Sequence, residues 1–364
     1  GSYLSGGMDS ASIAAIASRK VERLPTFTCG FDMNEVTGRE SNFDERRDAE
    51  LIANYLKTEQ FEQVMNAGDI RWSLPKLVYH LEDLRVGMSY PNYYIARLAS
   101  KFVKVCLQGT GGDELFGGYP WRYYKVFDSL SQEDFFDQYY DFWQRLVPKE
   151  DKANLFLKEV LDQIDLDTPR EVFERVFTFN DNLKYGTPQD HINNSLYFEI
   201  KTFLPGLFLV GDKLAMAHGL EERFPFMDND LVDFAMQVPV EHKLGDLTEE
   251  IEKIDENLEG NKKAYREHDD GKNVLRKAMQ DYIPEQILNR KKQGFSAPDE
   301  SWYRGENAEY IKEILLNSDT LCTQFIKADY IKKTVNEHLN EGKNHRLLIW
   351  SFLNFEWWCR IFLK

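Results

Sequence analysis

Two serines, two glycines and one carboxylate fall within six positions near the start of the sequence, Ser5-Gly6-Gly7-Met8-Asp9-Ser10. The apolar pair Tyr3-Leu4 before them predicts the end of a buried strand, and the alanine-rich segment after them predicts a helix. Backbone N–H groups at a helix N-terminus attract anions, and glycine lets a ligand approach the backbone closely. Asp9 would repel a bound phosphate unless a cation such as Mg²⁺ lay between them. The segment therefore predicts a site for a metal-complexed polyphosphate, with a tightly packed strand-to-helix turn as the structural alternative.

A second glycine-rich segment, Gln108 to Tyr119, follows the strand predicted at Phe102–Leu107. It reads Q-G-T-G-G-D-E-L-F-G-G-Y and lacks the complete G-x-G-x-x-G fingerprint of dinucleotide sites. Ligands of doubly wound sheets bind outside the carboxyl ends of the parallel strands. Because both glycine-rich segments follow strands, we expect them to face one another, with Asp113 as a second metal ligand beside Asp9. Neither segment is a Walker loop, since neither has the lysine at its end.

Composition excludes several classes of protein. The 364 residues suffice for a large core, arranged as one elaborate domain or as two subdomains. The formal net charge of −16 argues against a nucleic-acid-binding protein, which normally presents a basic surface. The four cysteines are far apart, which predicts neither a zinc cluster nor a disulfide framework. With no apolar run near the roughly 18 residues of a membrane span and no signal peptide, we expect a cytoplasmic protein without membrane or nucleic-acid partners.

The alternation of strand and helix patterns in the first third of the chain predicts an α/β fold with a doubly wound parallel sheet. The predicted segments are strands at Pro25–Phe31 and Gln60–Val64 and helices at Asp48–Leu56, Ile70–Leu81 and Tyr93–Ala99. From Trp121 to Phe203 strand signals vanish and aromatic residues recur at helical spacing, so we expect these rings to face the core of packed helices. The charged stretch Glu241–Asn273 is predicted to be exposed or partly disordered, and Leu347–Leu363 to be a helix docked on the core.

Several short motifs occur in an order that a chance match would not produce. They are Leu4–Ser10, Phe27–Gly30, Gly109–Tyr119, Asp212–Asp228, Lys272–Arg276 and Arg290–Phe295. In these motifs the chain resembles the synthetase domain of glutamine-dependent asparagine synthetases and their relatives, which include β-lactam synthetases and lasso-peptide cyclases. The resemblance implies the adenine nucleotide alpha hydrolase-like fold of the ATP pyrophosphatase (PP-loop) superfamily. Residues 1–127 would form the ATP-binding α/β part, and residues 128–364 a large, mainly helical part of the same domain.

The resemblance also implies roles for individual residues. ATP would lie across the strand ends, with its phosphates on Ser5, Gly6, Gly7, Asp9 and Ser10. The adenosine end would contact Leu4, Cys29, Gln108 and Gly109. Asp9 and Asp113 would hold Mg²⁺. Lys292 would stabilise pyrophosphate and the charge that develops on it.

The implied reaction has two steps. A substrate carboxylate, aspartate in asparagine synthetases, attacks the α-phosphate of ATP to give an acyl-adenylate and pyrophosphate. Ammonia then attacks the activated carbonyl and releases AMP. Relatives that use glutamine carry an N-terminal glutaminase domain, which is absent from this sequence. Ammonia would therefore come from a glutaminase domain or chain elsewhere, or the chain would use free ammonia or another amine. The oligomeric state is left open, with a homodimer among the alternatives.

Two departures from the asparagine synthetase pattern concern the substrate. Thr110 stands where those enzymes commonly carry a glutamate that is a candidate base for the attacking amine, and threonine can donate a hydrogen bond but is no base near neutral pH. The stretch Glu82–Tyr94 lacks the T-T-x-R string that contacts aspartate in some of them. Arg85 in this stretch is either a ligand for a substrate carboxylate or an exposed loop arginine. The segment with His218, Glu221 and Arg223 contributes near the site in relatives. The alternative, which we favour, is a buried structural pair of Glu221 and Arg223 that holds Pro225-Phe226.

Three functions remain open from the sequence. The first is an amide-forming ligase that makes asparagine from aspartate, ammonia and ATP. The second is a related amidotransferase or cyclase that acts on another carboxylate in a biosynthetic pathway, which the two departures favour. The third is a nucleotide-binding module without turnover, although a chain without catalysis has no need for both acids and Lys292.

Overall fold

Five parallel strands form the central sheet in the computed structural model of the chain, which describes residues 1–144, 146–245, 271–290 and 294–363. The strands are β1 (Ser2–Tyr3), β2 (Pro25–Phe31), β3 (Glu59–Met65), β4 (Val105–Leu107) and β5 (Glu221–Arg223). Their spatial order is β3-β2-β1-β4-β5. Every neighbouring pair is parallel, and Ser2 of β1 lies opposite Thr26 on one side and Leu107 on the other. The sheet confirms the predicted α/β class.

The strand order changes direction next to β1. The chain builds β2 and β3 on one side of β1 and then returns to place β4 and β5 on the other side. Connections on the two sides diverge at such a switch point, which leaves a crevice outside the carboxyl ends of the two central strands. The two glycine-rich segments follow β1 and β4, so both border this crevice.

Helices account for most of the other described residues. In the first half of the chain they are Met8–Ser18, Arg46–Leu56, Gly68–Leu81, Tyr90–Ala99, Gly112–Phe116, Pro120–Tyr123, Gln132–Trp143, Lys149–Leu155, Lys158–Leu161 and Thr168–Phe177. In the second half they are Pro188–Phe198, Leu204–Met216, Asn229–Gln237, Val240–Lys243, Asn273–Met279, Glu285–Leu288, Asp299–Arg304, Ala308–Leu315, Ala328–Asn340 and Arg346–Phe362. A π-helical turn, Glu199–Phe203, joins two of them. None of the described helices is both long and apolar enough to cross a membrane.

The helix Met8–Ser18 is enclosed by the protein on nearly every side. Ala11, Ala14 and Ala15 are at most 1% exposed. Their small side chains allow the helix to approach its neighbours closely, and alanine is also the strongest helix former. The N-terminus of this helix is consequently fixed at the crevice, directly after Gly7, which is its N-cap.

Two strand predictions differ from the structure. The strand predicted at Phe102–Leu107 begins only at Val105, because the amides of Phe102 and Val103 both donate to the carbonyl oxygen of Ala99 in a turn that ends the preceding helix. The strand β5 was not predicted, since its sequence E-E-R is entirely charged and gives no apolar signal. The strand β5 forms because its backbone pairs in parallel with the backbone of β4.

Many aromatic residues of the helical part are buried as predicted, whereas Phe179 is 75% exposed. Phe135, Phe136 and Tyr139 are each less than 9% exposed and pack with Phe173 and Phe177 in one aromatic cluster. The last helix is confirmed at Arg346–Phe362, with Trp350 only 1% exposed. The division of the chain after residue 127 stays a prediction.

The charged stretch Glu241–Asn273 lies largely outside the described residues. Of its described ends, Glu241 and His242 are exposed as predicted, whereas Lys243 and Lys272 are only 1% and 5% exposed. The burial of Lys272 bears directly on the crevice.

Candidate active site

The loop between β1 and the helix Met8–Ser18 is held by its two serines. Ser10 Oγ accepts from the Ser5 amide at 3.0 Å and lies 2.9 Å from Ser5 Oγ. Ser5 Oγ in turn accepts from the Gly7 amide at 3.1 Å. A bound phosphate would find these hydroxyl and amide groups converging at the positive end of the helix dipole.

The two glycine-rich loops touch at Gly109. A Cβ atom at this position would lie only 2.6 Å from the Ser10 amide nitrogen, so no side chain fits between the loops. The close approach brings the segment from Gln108 to Asp113 against the start of the first helix. The structure thus brings together Ser5, Gly6, Gly7, Asp9, Ser10, Gln108, Gly109, Thr110 and Asp113, all at the carboxyl ends of β1 and β4.

Lys272 joins the two acids of these loops. Its Nζ lies 2.5 Å from Asp9 Oδ2 and 2.5 Å from Asp113 Oδ1. The three side chains are 6%, 15% and 11% exposed, respectively, so the contact is largely shielded from water. One buried ammonium group is therefore shared by two carboxylates, which leaves an excess of negative charge among the three.

The backbone of Lys272 has an uncommon conformation. Its φ of 61° lies in the left-handed region, which non-glycine residues rarely adopt. Its amide donates to the carbonyl oxygen of Phe116 at 3.1 Å, which fixes the segment to the second glycine-rich loop. Gly118 leaves the necessary room, because a Cβ there would lie 2.5 Å from Lys272 Cε and would overlap Asp113. A strained residue held so tightly between two loops is typical of a functional position.

The sequence interpretation did not single out Lys272, although it matched the segment in which the residue lies. The available signal was the pair Gly271-Lys272 directly before a helix, since glycine permits a close approach and the lysine follows at the helix N-cap. A Cβ at position 271 would lie 2.6 Å from the carbonyl oxygen of Gly117, so glycine is required there.

The two acids that meet Lys272 also fit a magnesium ion. Among the described residues no three His, Cys, Asp or Glu side chains gather into a metal-binding group. Mg²⁺ commonly takes only one or two protein carboxylates and completes its shell with water and substrate phosphates. Two converging carboxylates beside a phosphate-type loop supply this donor set, and Asp9 and Asp113 would hold the ion.

Gln108 and Thr110 belong to a chain of hydrogen bonds that ends on a buried acid. Thr110 Oγ1 donates to Gln108 Oε1 at 2.5 Å, and Gln108 Nε2 donates to Glu222 Oε2 at 3.1 Å. The hydroxyl group of Tyr3 donates to the other oxygen of Glu222 at 2.8 Å. Glu222 is 6% exposed. The chain therefore fixes the side-chain amide of Gln108, and Gln108 takes the hydroxyl proton of Thr110, which leaves the Thr110 oxygen as an acceptor.

Burial raises the pKa of Glu222 to about 7, against the opposing effect of the Tyr3 hydrogen bond. Burial also raises the pKa of Tyr3, and the charge of Glu222 adds to this effect. Both groups thus keep their protons to a higher pH than the free side chains do. Sequence interpretation missed Glu222, because its neighbour Glu221 carries the same side chain and no pattern tells which of the two points inward.

The residues expected at the adenosine end lie on adjacent strands. The carbonyl oxygen of Leu4 accepts from Thr28 Oγ1 at 2.9 Å, and the Leu4 side chain is 2% exposed in the core. Cys29 is partly buried on β2, where burial raises the pKa of its thiol above the ordinary value. Contacts of Leu4, Cys29 and Gln108 with adenosine stay predictions.

Lys292 lies outside the described residues. Its neighbour Arg290 lies against the first glycine-rich loop, because a side chain at Gly6 would collide with the guanidinium group. Arg290 Nη1 binds Glu45 at 2.6 Å, and its Nε binds Asp48 at 3.2 Å. The segment before Lys292 is thereby anchored beside the loop that would hold the phosphates.

The predicted buried pair of Glu221 and Arg223 is wrong. The two side chains do form an ion pair, but they are 40% and 62% exposed. Successive side chains of a strand point to opposite faces, so the two outer residues of β5 face outward and Glu222 faces inward.

The crevice combines a helix N-terminus, two acids and a lysine at the switch point of a parallel sheet, which defines an α/β protein built to bind a polyphosphate. A family model named asparagine synthase matches residues 1–360. The chain therefore belongs to the asparagine synthase family, and this membership supports a ligase-type enzyme that uses ATP.

Three curated relatives extend this match. The asparagine synthetase [glutamine-hydrolyzing] 1 of Bacillus subtilis (strain 168) is 29% identical over 99% of the chain and 56% of its own length. A putative asparagine synthetase [glutamine-hydrolyzing] of Mycobacterium tuberculosis (strain ATCC 25618 / H37Rv) is 28% identical over 100% of the chain and 55% of its own length. The amidase chry2 of Gibberella zeae is 25% identical over 89% of the chain and 53% of its own length. The chain thus spans about half the length of these relatives.

Proposed function

We propose that this chain is the synthetase part of an asparagine synthetase-type enzyme. It would activate the side-chain carboxylate of aspartate with ATP and transfer ammonia to it, releasing asparagine, AMP and pyrophosphate. The observation that carries the proposal is the convergence of Asp9, Asp113 and Lys272 beside the first glycine-rich loop. Acids and a lysine at a phosphate-type loop are the groups that a metal-assisted cleavage of ATP requires.

In the first step the chain would bind and orient ATP. The N-terminus of the helix Met8–Ser18 and the Gly6-Gly7 turn would hold the phosphates, with Lys272 and Lys292 near the charge of the departing pyrophosphate. When bound between Asp9 and Asp113, Mg²⁺ would supply further neutralisation of phosphate charge. A substrate carboxylate oxygen attacks the α-phosphorus, and the bond from this phosphorus to the bridging oxygen of the β-phosphate breaks. The main contribution of the protein is positioning and electrostatic stabilisation.

In the second step ammonia would attack the acyl carbon of the adenylate. The carbon–oxygen bond to the phosphate breaks, AMP leaves with the electron pair, and the nitrogen loses a proton. Thr110 would act here as a hydrogen-bond acceptor for the amine, because its hydroxyl proton is donated to Gln108, and it is not a base at neutral pH. The ammonia would come from a glutaminase domain or chain, which accords with the names and greater length of the relatives.

A second candidate keeps the chemistry but changes the carboxylate. Thr110 in place of the usual glutamate, and a relative named as an amidase, favour this alternative. A nucleotide-binding module without turnover is disfavoured, since a binding module does not require a strained, buried lysine shared by two acids.

The experiment is a product assay with the full chain, ATP, Mg²⁺ and ammonium chloride. L-aspartate, L-glutamate and other amino acids are supplied one at a time, and AMP, pyrophosphate and the amide are measured. We expect asparagine, AMP and pyrophosphate in equal amounts with aspartate. The same stoichiometry with another acid would instead support the second candidate. Formation of ADP, or ATP cleavage that is unaffected by Asp113→Asn, would contradict both.

A further inference from the structure

The side chain of Lys272 extends from a backbone that is held on both sides. The Lys272 amide donates to the carbonyl oxygen of Phe116 at 3.1 Å, and the Lys272 carbonyl oxygen accepts from the Arg276 amide at 2.9 Å. Arg276 Nε also donates to the carbonyl oxygen of Gly271 at 3.0 Å. While this backbone stays in place, the ammonium group of Lys272 can still change partners, because a lysine side chain has a flexible four-carbon stem.

The contact of Lys272 with the two acids is symmetrical. Its Nζ lies 2.5 Å from Asp9 Oδ2 and 2.5 Å from Asp113 Oδ1. An ammonium group is a compact charge with three rotatable donors, so it does not impose the fixed geometry of an arginine fork. Mg²⁺ is likewise a compact cation that prefers carboxylate oxygen. Lys272 therefore lies where the two acids attract either cation.

Lys272 and Mg²⁺ cannot both use these oxygen atoms without a large repulsion. Mg²⁺ binds oxygen at about 2.0–2.1 Å. An ion bound to Asp9 Oδ2 and Asp113 Oδ1 would lie within about 4.6 Å of Lys272 Nζ, because Nζ is 2.5 Å from each of them. Two cations so close together repel each other strongly in a site shielded from water. The ammonium group and the ion thus compete for the two acids.

ATP would change the outcome of this competition. The Gly6-Gly7 turn would hold its phosphates beside Asp9, which lies in the first turn of the helix Met8–Ser18. Phosphate oxygen atoms would complete the ligand shell of Mg²⁺ and would also attract the displaced ammonium group. Mg²⁺ without ATP would offer Lys272 no new partner, and Lys272 is only 5% exposed. A buried lysine that loses its carboxylates in this way is unfavourable.

From these contacts we infer that Lys272 competes with Mg²⁺ for Asp9 and Asp113, so that the ion binds tightly only together with ATP. Lys272 releases the two acids when both ligands bind, and its ammonium group then lies against the phosphates. The inference rests on the proposed function and adds an order of binding to it. Mg²⁺ enters the site with the nucleotide rather than before it.

The test uses Mn²⁺, which prefers the same oxygen ligands and can be followed by electron paramagnetic resonance. Without nucleotide, Lys272→Met should bind Mn²⁺ about 10-fold or more tightly than the native chain, because the competing charge is gone. The same substitution should weaken the binding of α,β-methylene ATP with Mg²⁺ about 10-fold, because the phosphates lose a partner. The matched control is Lys277→Met, which removes an exposed lysine of the following helix and should change neither affinity.

The two opposite effects separate the inference from a purely structural ion pair. A lysine that only neutralises the acids would, when removed, leave the binding of α,β-methylene ATP with Mg²⁺ unchanged or strengthen it. Adding Asp113→Asn to Lys272→Met should abolish the gain in Mn²⁺ affinity. The inference is overturned if Lys272→Met binds Mn²⁺ no more tightly than the native chain, if the gain survives Asp113→Asn, or if the nucleotide affinity does not fall.

A measurement on the native chain keeps the test decisive if Lys272→Met does not fold. Nuclear magnetic resonance of isotope-labelled lysine side chains follows the Lys272 ammonium group directly, with Lys272→Arg to assign its signal. The signal should stay in place with millimolar Mg²⁺ and should shift when α,β-methylene ATP is also added. A shift with Mg²⁺ alone would overturn the inference. None of these readouts needs turnover, so a product assay without asparagine would count against the proposed function and not against the competition.

Discussion

Two buried clusters of opposite charges lie in different parts of the molecule and are built differently. Away from the crevice, Arg122 of the helix Pro120–Tyr123 meets Glu199 at 3.3 Å, with the two side chains 5% and 0% exposed. Tyr139 and Tyr123 donate to the same carboxylate at 3.2 and 3.4 Å, and the Arg122 guanidinium stacks 3.8 Å from the centre of the Tyr119 ring. At the crevice a single lysine serves two acids, and its own backbone is strained.

The comparison of the two clusters shows how a buried ion pair that stabilises the fold differs from one that belongs to an active site. In the Arg122–Glu199 cluster the carboxylate also accepts from two tyrosine hydroxyl groups, as expected of a buried pair that holds helices together. Burial nevertheless raises the pKa of Glu199, and Arg122 counteracts this rise. In the Lys272 cluster one lysine with a strained backbone meets Asp9 and Asp113 at the crevice, beside the loop that would hold the phosphates. We therefore interpret the first as structural and the second as catalytic.

The largest expected effect is on catalysis. Asp113→Asn should lower the rate of pyrophosphate formation about 10²- to 10³-fold, because a group that stabilises developing charge is lost. Its folded state should be no less stable, since Lys272 keeps Asp9 as its partner. Glu199→Gln is the comparison variant in the helical part, and it should reduce stability while the folded fraction retains its rate. If the Asp113→Asn variant forms pyrophosphate at the normal rate, the interpretation of the Lys272 cluster as catalytic is wrong.

The next effect concerns stability and its response to metal. Arg122→Met should destabilise the fold by about 3–5 kcal/mol, because Glu199 is left as an uncompensated buried charge. Lys272→Met should also destabilise the fold, but millimolar Mg²⁺ should restore part of this loss, since the two acids it leaves can bind the ion. Urea unfolding with EDTA or with Mg²⁺ measures both. An equal response of the two variants to Mg²⁺ would show that the acids do not form a cation site.

A smaller effect is a pH dependence due to Glu222. Its pKa is raised from 4.5 to about 7 in the folded chain, so the folded state binds the proton more tightly than the unfolded state does. The contribution of Glu222 to stability is therefore greatest below pH 4.5 and falls as the pH rises to about 7, by up to about 3 kcal/mol. Glu222→Gln should remove this part of the slope in unfolding experiments at a series of pH values.

Asp299→Asn is a matched control for Glu222→Gln. Asp299 is 3% exposed and its pKa is also raised to about 7 by burial, but it binds Tyr90 and has no contact with Gln108. Both variants should flatten the pH dependence, whereas only Glu222→Gln should disturb Gln108 and Thr110. An unchanged rate of amide formation in Glu222→Gln would separate this hydrogen-bond chain from catalysis.

The smallest effect is expected at the surface of β5. Glu221→Ala removes an ion pair whose side chains are 40% and 62% exposed, and pairs of this kind contribute about 0–1 kcal/mol. The change in unfolding free energy should stay within about 0.5 kcal/mol. A loss comparable to that of Arg122→Met would mean that the pair is structural after all.

Sequence patterns predicted the parts of the molecule that local chemistry determines. The glycines and Asp9 of the first loop sit between a strand and a helix, and this order alone predicts their place at the carboxyl end of β1. Asp113 and Lys272 lie 104 and 263 positions after Asp9 in the sequence. A contact over such a separation depends on the packing of the whole domain, so no local pattern identifies Lys272 as the common partner of the two acids.

The sequence pattern also could not predict which side chain of β5 is buried. Glu221, Glu222 and Arg223 are all charged, and alternation between apolar and polar residues is the usual guide to the inward face. Only the parallel pairing of Cys106 with Glu222 determines which side chain points inward. The same limit applies to Arg85, which is partly buried rather than exposed and whose carbonyl oxygen accepts from Trp350, a residue 265 positions away.

The outer strands of the sheet have a consequence for the behaviour of the protein at high concentration. An edge strand presents unpaired backbone groups to which another chain can add, and short or charged edges discourage such addition. At one edge β5 has only three residues, with Glu221 and Arg223 facing outward. At the other edge β3 exposes Glu59 and Glu62. The outward-facing charges of these two edge strands therefore discourage aggregation through strand addition.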